Sequence, residues 1–137
     1  MNLKGCFKEE LLHPFKFDRS VIEKEISNSK RHLTNAQKCI EDKMYDLAVV
    51  SIYTSMFHAA RAILYRDGFK ERSHICLIEY IGENYPKLND FLKVLDAYRE
   101  SRHEMLYGLD VSAMKEDAIY GIDVAKNFIE AVKKEVK

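Results

Sequence analysis

The chain has 137 residues, enough for one domain around a single substantial core and too few for two. Its 22 Lys and Arg balance its 22 Asp and Glu, so formal net charge is zero; the broad basic footprint of a duplex-binding protein is absent and any phosphate contact has to be local. Three cysteines, Cys6, Cys39 and Cys76, show no paired spacing, which predicts reduced thiols in or near the core in place of a disulfide framework or structural zinc site.

Residues 1–16 carry Lys4, Lys8, Glu9 and Glu10 and no apolar core segment, so they read as an N-terminal extension and not as a signal peptide. Beyond them helical patterning is almost continuous, and the whole chain has only five glycines and two prolines to punctuate it. Asp18 is placed to cap a first helix, with Phe17 stapling onto Ile22, and the stripe Ile22, Ile26, Ser29, Leu33, Ala36, Ile40 follows. After a break at Lys43–Tyr45, Asp46 is the next expected cap. The second helix shows Leu47, Val50, Tyr53, Phe57, Ala60 and Leu64 on one face and ends at Asp67-Gly68, where glycine can take the left-handed closing conformation. Its other face, Ser51, Ser55, His58 and Ala62, is small or polar and would admit a neighbouring helix closely. The polar residues Ser51, Thr54, His58 and Arg61 interrupt this apolar stretch, and the expectation is a soluble, cytoplasmic chain with no membrane span.

Ser73 caps a third helix that runs to about Tyr85 and stops at Pro86. The fourth spans Leu88 to Tyr107 and closes at Gly108; Ser112 is the expected cap of the fifth, whose stripe is Ala118, Ile122, Ala125, Ile129, Val132, Val136. Strand signals are lacking. Five helices joined by short connections predict an all-α, up-and-down five-helix bundle occupying residues 1–137 as one domain.

Arg102 is the residue that asks for an explanation. The stripe Phe91, Leu95, Tyr98, Arg102, Met105 steps by four, three, four and three, so Arg102 points at another surface and not at water. An unpaired buried guanidinium is costly, so a carboxylate, a second subunit or a phosphate should meet it. Asp96 and Glu104 are the nearby carboxylates, and a structural pairing with one of them is the plain alternative to a ligand site. Lys70 and Arg72 beside the Ser73-His74 helix start form a possible anion cradle, although Ser73 is first of all a cap. His58 reads as a core histidine on the small face, His103 as a helix-end histidine, and His13 and His32 have no suggestive surroundings. No His, Cys, Asp or Glu pair has ligand spacing, so no metal and no cofactor is expected.

The block Tyr53-Thr54-Ser55-Met56-Phe57-His58-Ala59-Ala60-Arg61, with Arg72-Ser73-His74 beyond a glycine turn, resembles the HEPN domain, in its small stand-alone prokaryotic branch (UPF0332-like), from about Phe17 to Val136. The resemblance places Arg102 at the family's functional arginine and implies a five-helix bundle, a homodimer formed through the later helices, and nucleotide or RNA chemistry. Many HEPN ribonucleases carry an Arg, a polar residue and then a His; the matching positions are Arg102, His103 and Tyr107. Tyrosine is a weaker general base than histidine at neutral pH, since its hydroxyl ordinarily keeps its proton to about pH 10.

On a continuous helix Arg102 and Tyr107 also sit about 140° apart. They can share a site only if the helix loosens before Gly108 or the two residues meet across a two-fold axis. Such a site would have Tyr98, Ser101, Arg102, His103 and Tyr107 as its walls.

Two functions follow from the resemblance. One is a nucleotide- or RNA-binding module paired with a minimal nucleotidyltransferase in a toxin–antitoxin-type system, with Arg102, Ser101, His58, Ser73 and His74 as candidate ligand contacts and Tyr107 as a candidate nucleotidyl acceptor. The other is a metal-independent endoribonuclease toxin in which Arg102 holds the phosphate and His103 or His58 moves the proton. A third reading, independent of the resemblance, is a helical dimer with a purely structural role.

Overall fold

The computed structural model describes residues 1–108 and 112–137. It contains α1 (Leu3–Lys8), β1 (Leu12–Pro14), α2 (Arg19–Glu41), α3 (Tyr45–Arg66), β2 (Phe69–Glu71), α4 (His74–Asn84), a 3-10 turn (Pro86–Leu88), α5 (Asn89–Tyr107) and α6 (Lys115–Glu135). The fold is all-α in substance, with six α-helices among the described residues where five were expected: α2 to α6 are the anticipated ones and α1 is additional.

Helix α3 is the axis of the molecule and packs against α2, α4, α5 and α6. Both its faces are buried, from Ile52, Met56, Ile63 and Leu64 to Ser55, Ala59 and Ala62. The polar residues along it do not keep it below membrane-crossing apolarity, as had been expected: by length and composition alone it qualifies, but 67% of the qualifying stretch is buried inside the bundle. The expected close approach on its small face is made by α2. Ser29 Oγ donates to the Ser55 carbonyl and Ser55 Oγ to the Ser29 carbonyl, both at 2.7 Å, so two short side chains let the backbones meet and satisfy each other.

Side-chain pairs fix the helix directions. Ser29–Ser55 and Glu25–His58 make α2 and α3 antiparallel, and Phe91–Phe128 and Tyr98–Asp117 do the same for α5 and α6. Tyr53–His74 and Arg66–Tyr85, however, align α4 with α3, and Asp46–Ala113 with Arg66–Glu135 align α6 with α3. The simple up-and-down order therefore breaks between α3 and α4, where Gly68 (φ +89°) and β2 carry the chain back before α4 begins.

Residues 1–16 belong to the body of the protein. β1 pairs antiparallel with β2 in the register Leu12↔Glu71, His13↔Lys70, Pro14↔Phe69. Cys6 and Leu12 are fully buried, and Cys6 is joined to Cys76 in a disulfide, contrary to the expectation of reduced thiols. The two cysteines are 70 positions apart, so no local spacing could betray the pair. Cys39 is free and half-buried.

Ser73 caps α4 as expected, its Oγ accepting from the Cys76 N–H at 3.2 Å. Asp18 occupies the N-cap of α2 without a side-chain bond, Met44 and not Asp46 precedes α3, and Met114 and not Ser112 precedes α6. Asp46 instead accepts from the Ala113 N–H at 2.5 Å, tying the approach to α6 onto the start of α3.

Candidate functional site

The stripe that carries Arg102 inward delivers its guanidinium to an aromatic face and, among the described residues, to no carboxylate. Cζ lies 4.8 Å from the centre of the Tyr53 ring, a cation–π arrangement across the α3–α5 contact. Arg102 Nε is buried and has no hydrogen-bond partner among the described residues. The carboxylates expected to meet it do otherwise: Asp96 takes Arg99 Nε at 2.9 Å, and Glu104 is exposed. Arg102 forms no ion pair among the described residues.

Tyr53 holds a second group from its buried position. Its hydroxyl is 2.6 Å from Nδ1 of His74, the first residue of α4, and the His74 ring lies 4.2 Å, centre to centre, from Phe57. Burial, and then the Arg102 charge, push His74 below its ordinary value, so it is neutral at pH 7. Burial pushes the Tyr53 hydroxyl up to about 12 against the opposing pull of Arg102 and Arg99. Around these groups opens a recess of about 260 Å³ lined by Ser73, His74, Ile75, Arg99, Arg102 and His103. Two guanidinium groups, two imidazoles and a hydroxyl converge there, with no carboxylate in the lining among the described residues. That donor set suits a phosphate oxygen.

Of the residues singled out from sequence, the structure brings Arg102, His103, Ser73 and His74 to one recess. Ser101 is half-buried and lies outside the lining. Tyr98 turns to α6, where its hydroxyl donates to the Asp117 carbonyl at 2.6 Å. Tyr107 is 73% exposed at the last turn of α5, its ring centre 5.1 Å from that of His103. Helix α5 stays continuous to Tyr107, so the loosening that would turn Tyr107 toward Arg102 is not present in the chain.

His58 belongs elsewhere. Its Nδ1 is 2.6 Å from Glu25 Oε2 and its ring stacks on His32, within the α2–α3 contact. Sequence reading missed Tyr53 as a participant because its position on the apolar stripe describes its ring and says nothing of its hydroxyl. Arg99, three residues before Arg102, was a legible signal.

Among the described residues no group of three or more His, Cys, Asp or Glu could hold a metal ion. Residues 22–135 match the family model of the HEPN domain. A candidate toxin of Methanocaldococcus jannaschii is 25% identical over 118 residues, covering 82% of this chain and 80% of that protein. The UPF0332 protein of Archaeoglobus fulgidus is 29% identical over 118 residues, covering 84% of this chain and 94% of that protein.

Proposed function

Because the chain belongs to the HEPN domain family, we propose that it is a toxin–antitoxin-type protein that holds a phosphate-bearing ligand, a nucleotide or RNA, at Arg102 and works with a minimal nucleotidyltransferase. One observation carries the ligand reading: Arg102, whose buried Nε has no partner among the described residues, lines a recess together with Arg99, His74 and His103. The Tyr53 ring occupies one face of the guanidinium and leaves its edge for a ligand. The toxin-type assignment draws on the family and on the name of the Methanocaldococcus relative. In this reading Tyr107, exposed at the end of α5, is the acceptor for the partner's nucleotidyl group. Its hydroxyl oxygen bonds to the α-phosphorus of a nucleoside triphosphate, pyrophosphate leaves, and the phenolic proton passes to solvent.

A second reading, the metal-independent ribonuclease, has its own observation: His74 and His103 line the same recess as Arg102 and could supply proton transfer without a histidine at position 107.

Titration of AMP, ATP and a short RNA against wild type, Arg102→Ala and Arg102→Lys tests the first reading. A charge-assisted bond contributes about 1.5 to 3 kcal/mol, so Arg102→Ala should weaken binding roughly tenfold or more, with Lys restoring only part because it lacks the planar fork. Equal binding by all three proteins would make Arg102 a helix-packing residue. RNA cleaved rapidly without metal by wild type, and not by Arg102→Ala, would put the ribonuclease first.

A further inference from the structure

Tyr53 is 2% exposed, and its hydroxyl makes one hydrogen bond among the described residues, the 2.6 Å contact with His74 Nδ1. Two proton arrangements fit that distance. If His74 carried its proton on Nδ1 it would donate to Tyr53, and the tyrosine's own buried O–H would then have no acceptor. If Tyr53 donates, its hydroxyl and His74 Nδ1 satisfy each other, and only the Nε2 N–H is left over at the recess. A buried donor without a partner is the costlier arrangement, so the second prevails.

We propose that Tyr53 is the positioning residue of the recess, donating its hydroxyl proton to His74 Nδ1 and thereby fixing the imidazole proton on Nε2, so that His74 meets a ligand as a neutral hydrogen-bond donor to a phosphate oxygen and not as a proton acceptor. Nε2 makes no hydrogen bond among the described residues, and His74 lines the recess, so this N–H is the group left for a ligand. The ionisation of the pair agrees: Tyr53, held up at about 12, keeps its proton to donate, and His74, held low by burial and then by Arg102, is neutral and so has one unprotonated ring nitrogen to accept it.

The inference rests on the phosphate-ligand reading for its consequence and on the apo protein for its proof. With the proton already on Nε2, His74 cannot take one from a ribose 2′-hydroxyl through the nitrogen that faces the ligand. His74 is thereby set to hold a nucleotide phosphate and not to take the 2′-hydroxyl proton, which removes this histidine, though not His103, from the ribonuclease reading. Tyr53 acts through His74 and Arg102 and needs no contact of its own with the ligand.

The test uses the full chain labelled with ¹⁵N at histidine, at pH 7.5, with long-range ¹H–¹⁵N spectra that separate protonated from unprotonated ring nitrogens. In wild type, His74 should show a protonated Nε2 and an unprotonated, hydrogen-bonded Nδ1. Tyr53→Phe, which removes one oxygen from an otherwise unchanged ring, should replace that single tautomer with a mixture. A protonated Nδ1 in wild type, or a tautomer unmoved by Tyr53→Phe, overturns the proposal. AMP binding supplies the separate arm. His74→Gln, which offers an N–H near the place of Nε2, should bind AMP within about threefold of wild type, and His74→Ala should bind roughly five- to tenfold more weakly. Failure of AMP to bind wild type would remove the ligand reading and leave the tautomer result standing.

Discussion

Arg102 meets an aromatic ring where a carboxylate would have neutralised it, and that choice keeps a charge available at the protein surface. Asp96 is committed to Arg99, so the second guanidinium of the helix is left with donors to spare. The histidines respond to the same burial. His74 and His32 are both pushed below their ordinary value, burial being the first cause in each, with Arg102 acting on His74 and Arg31 and His58 on His32. Each folded-state value therefore lies below the unfolded one, and in the interval between them the unfolded chain binds more protons. Stability from these groups is full above about pH 6.5, the ordinary histidine value, and is lost as pH falls through the lower folded values. Urea unfolding between pH 7.5 and 5 should show that decline, and His74→Gln should flatten part of it. A profile that is level, or rises toward acid, would contradict these shifts.

Elements are held together at two places where a single atom decides the outcome. At the α5–α6 contact, a Cβ at Gly121 would come 2.6 Å from Tyr98 Cε2 and 2.8 Å from its hydroxyl oxygen, and the ring could yield only by giving up its bond to the Asp117 carbonyl. Alanine gains up to about 1 kcal/mol in helix propensity, but overpacking costs about 1 to 3, so Gly121→Ala should be destabilising on balance, by roughly 1 kcal/mol in urea. At the other place, the Cys6–Cys76 disulfide closes a loop of 70 residues between α1 and α4. The chain-entropy description assigns such a loop about 4 kcal/mol. Cys6→Ser, or a dithiol reductant, should lower the melting temperature markedly, whereas Cys39→Ser should leave it in place.

The five long helices were legible because apolar period, Ser73 and Gly68 all act locally. Neither Cys6–Cys76 nor the β1–β2 pairing was, since both join segments more than fifty residues apart and neither leaves a mark within either segment. Arg102 was legible as an anomaly in a stripe. Its partner Tyr53 was not, because the way α5 seats on α3 is a property of two helices and not of either sequence.

Across the whole molecule, exposed apolar side chains gather at one end of the bundle: Met44 and Leu47 at the start of α3, Leu106 and Tyr107 at the end of α5, and Met114, Ile119 and Tyr120 at the start of α6. The Asp46–Ala113 bond holds the first and last of these groups together. We propose the Met44, Leu47, Met114, Ile119 and Tyr120 part of this end as the homodimer contact, with Tyr107 left open beside it, since water-exposed clusters of that kind are the usual mark of a protein interface. Sedimentation at tens of micromolar should give a dimer, and Ile119→Glu with Tyr120→Glu should give a folded monomer; a wild-type monomer would remove the proposal.

If Arg102 holds a phosphate as proposed, the wild-type Arg102 Nε–H signal reports on it without any substitution. Followed in ¹H–¹⁵N spectra during titration with AMP, that signal should move and saturate together with the ring signals of His74, as a phosphate oxygen reaches the outer edge of the same guanidinium. A titration in which AMP binds while Arg102 Nε–H and His74 stay where they were would contradict the account.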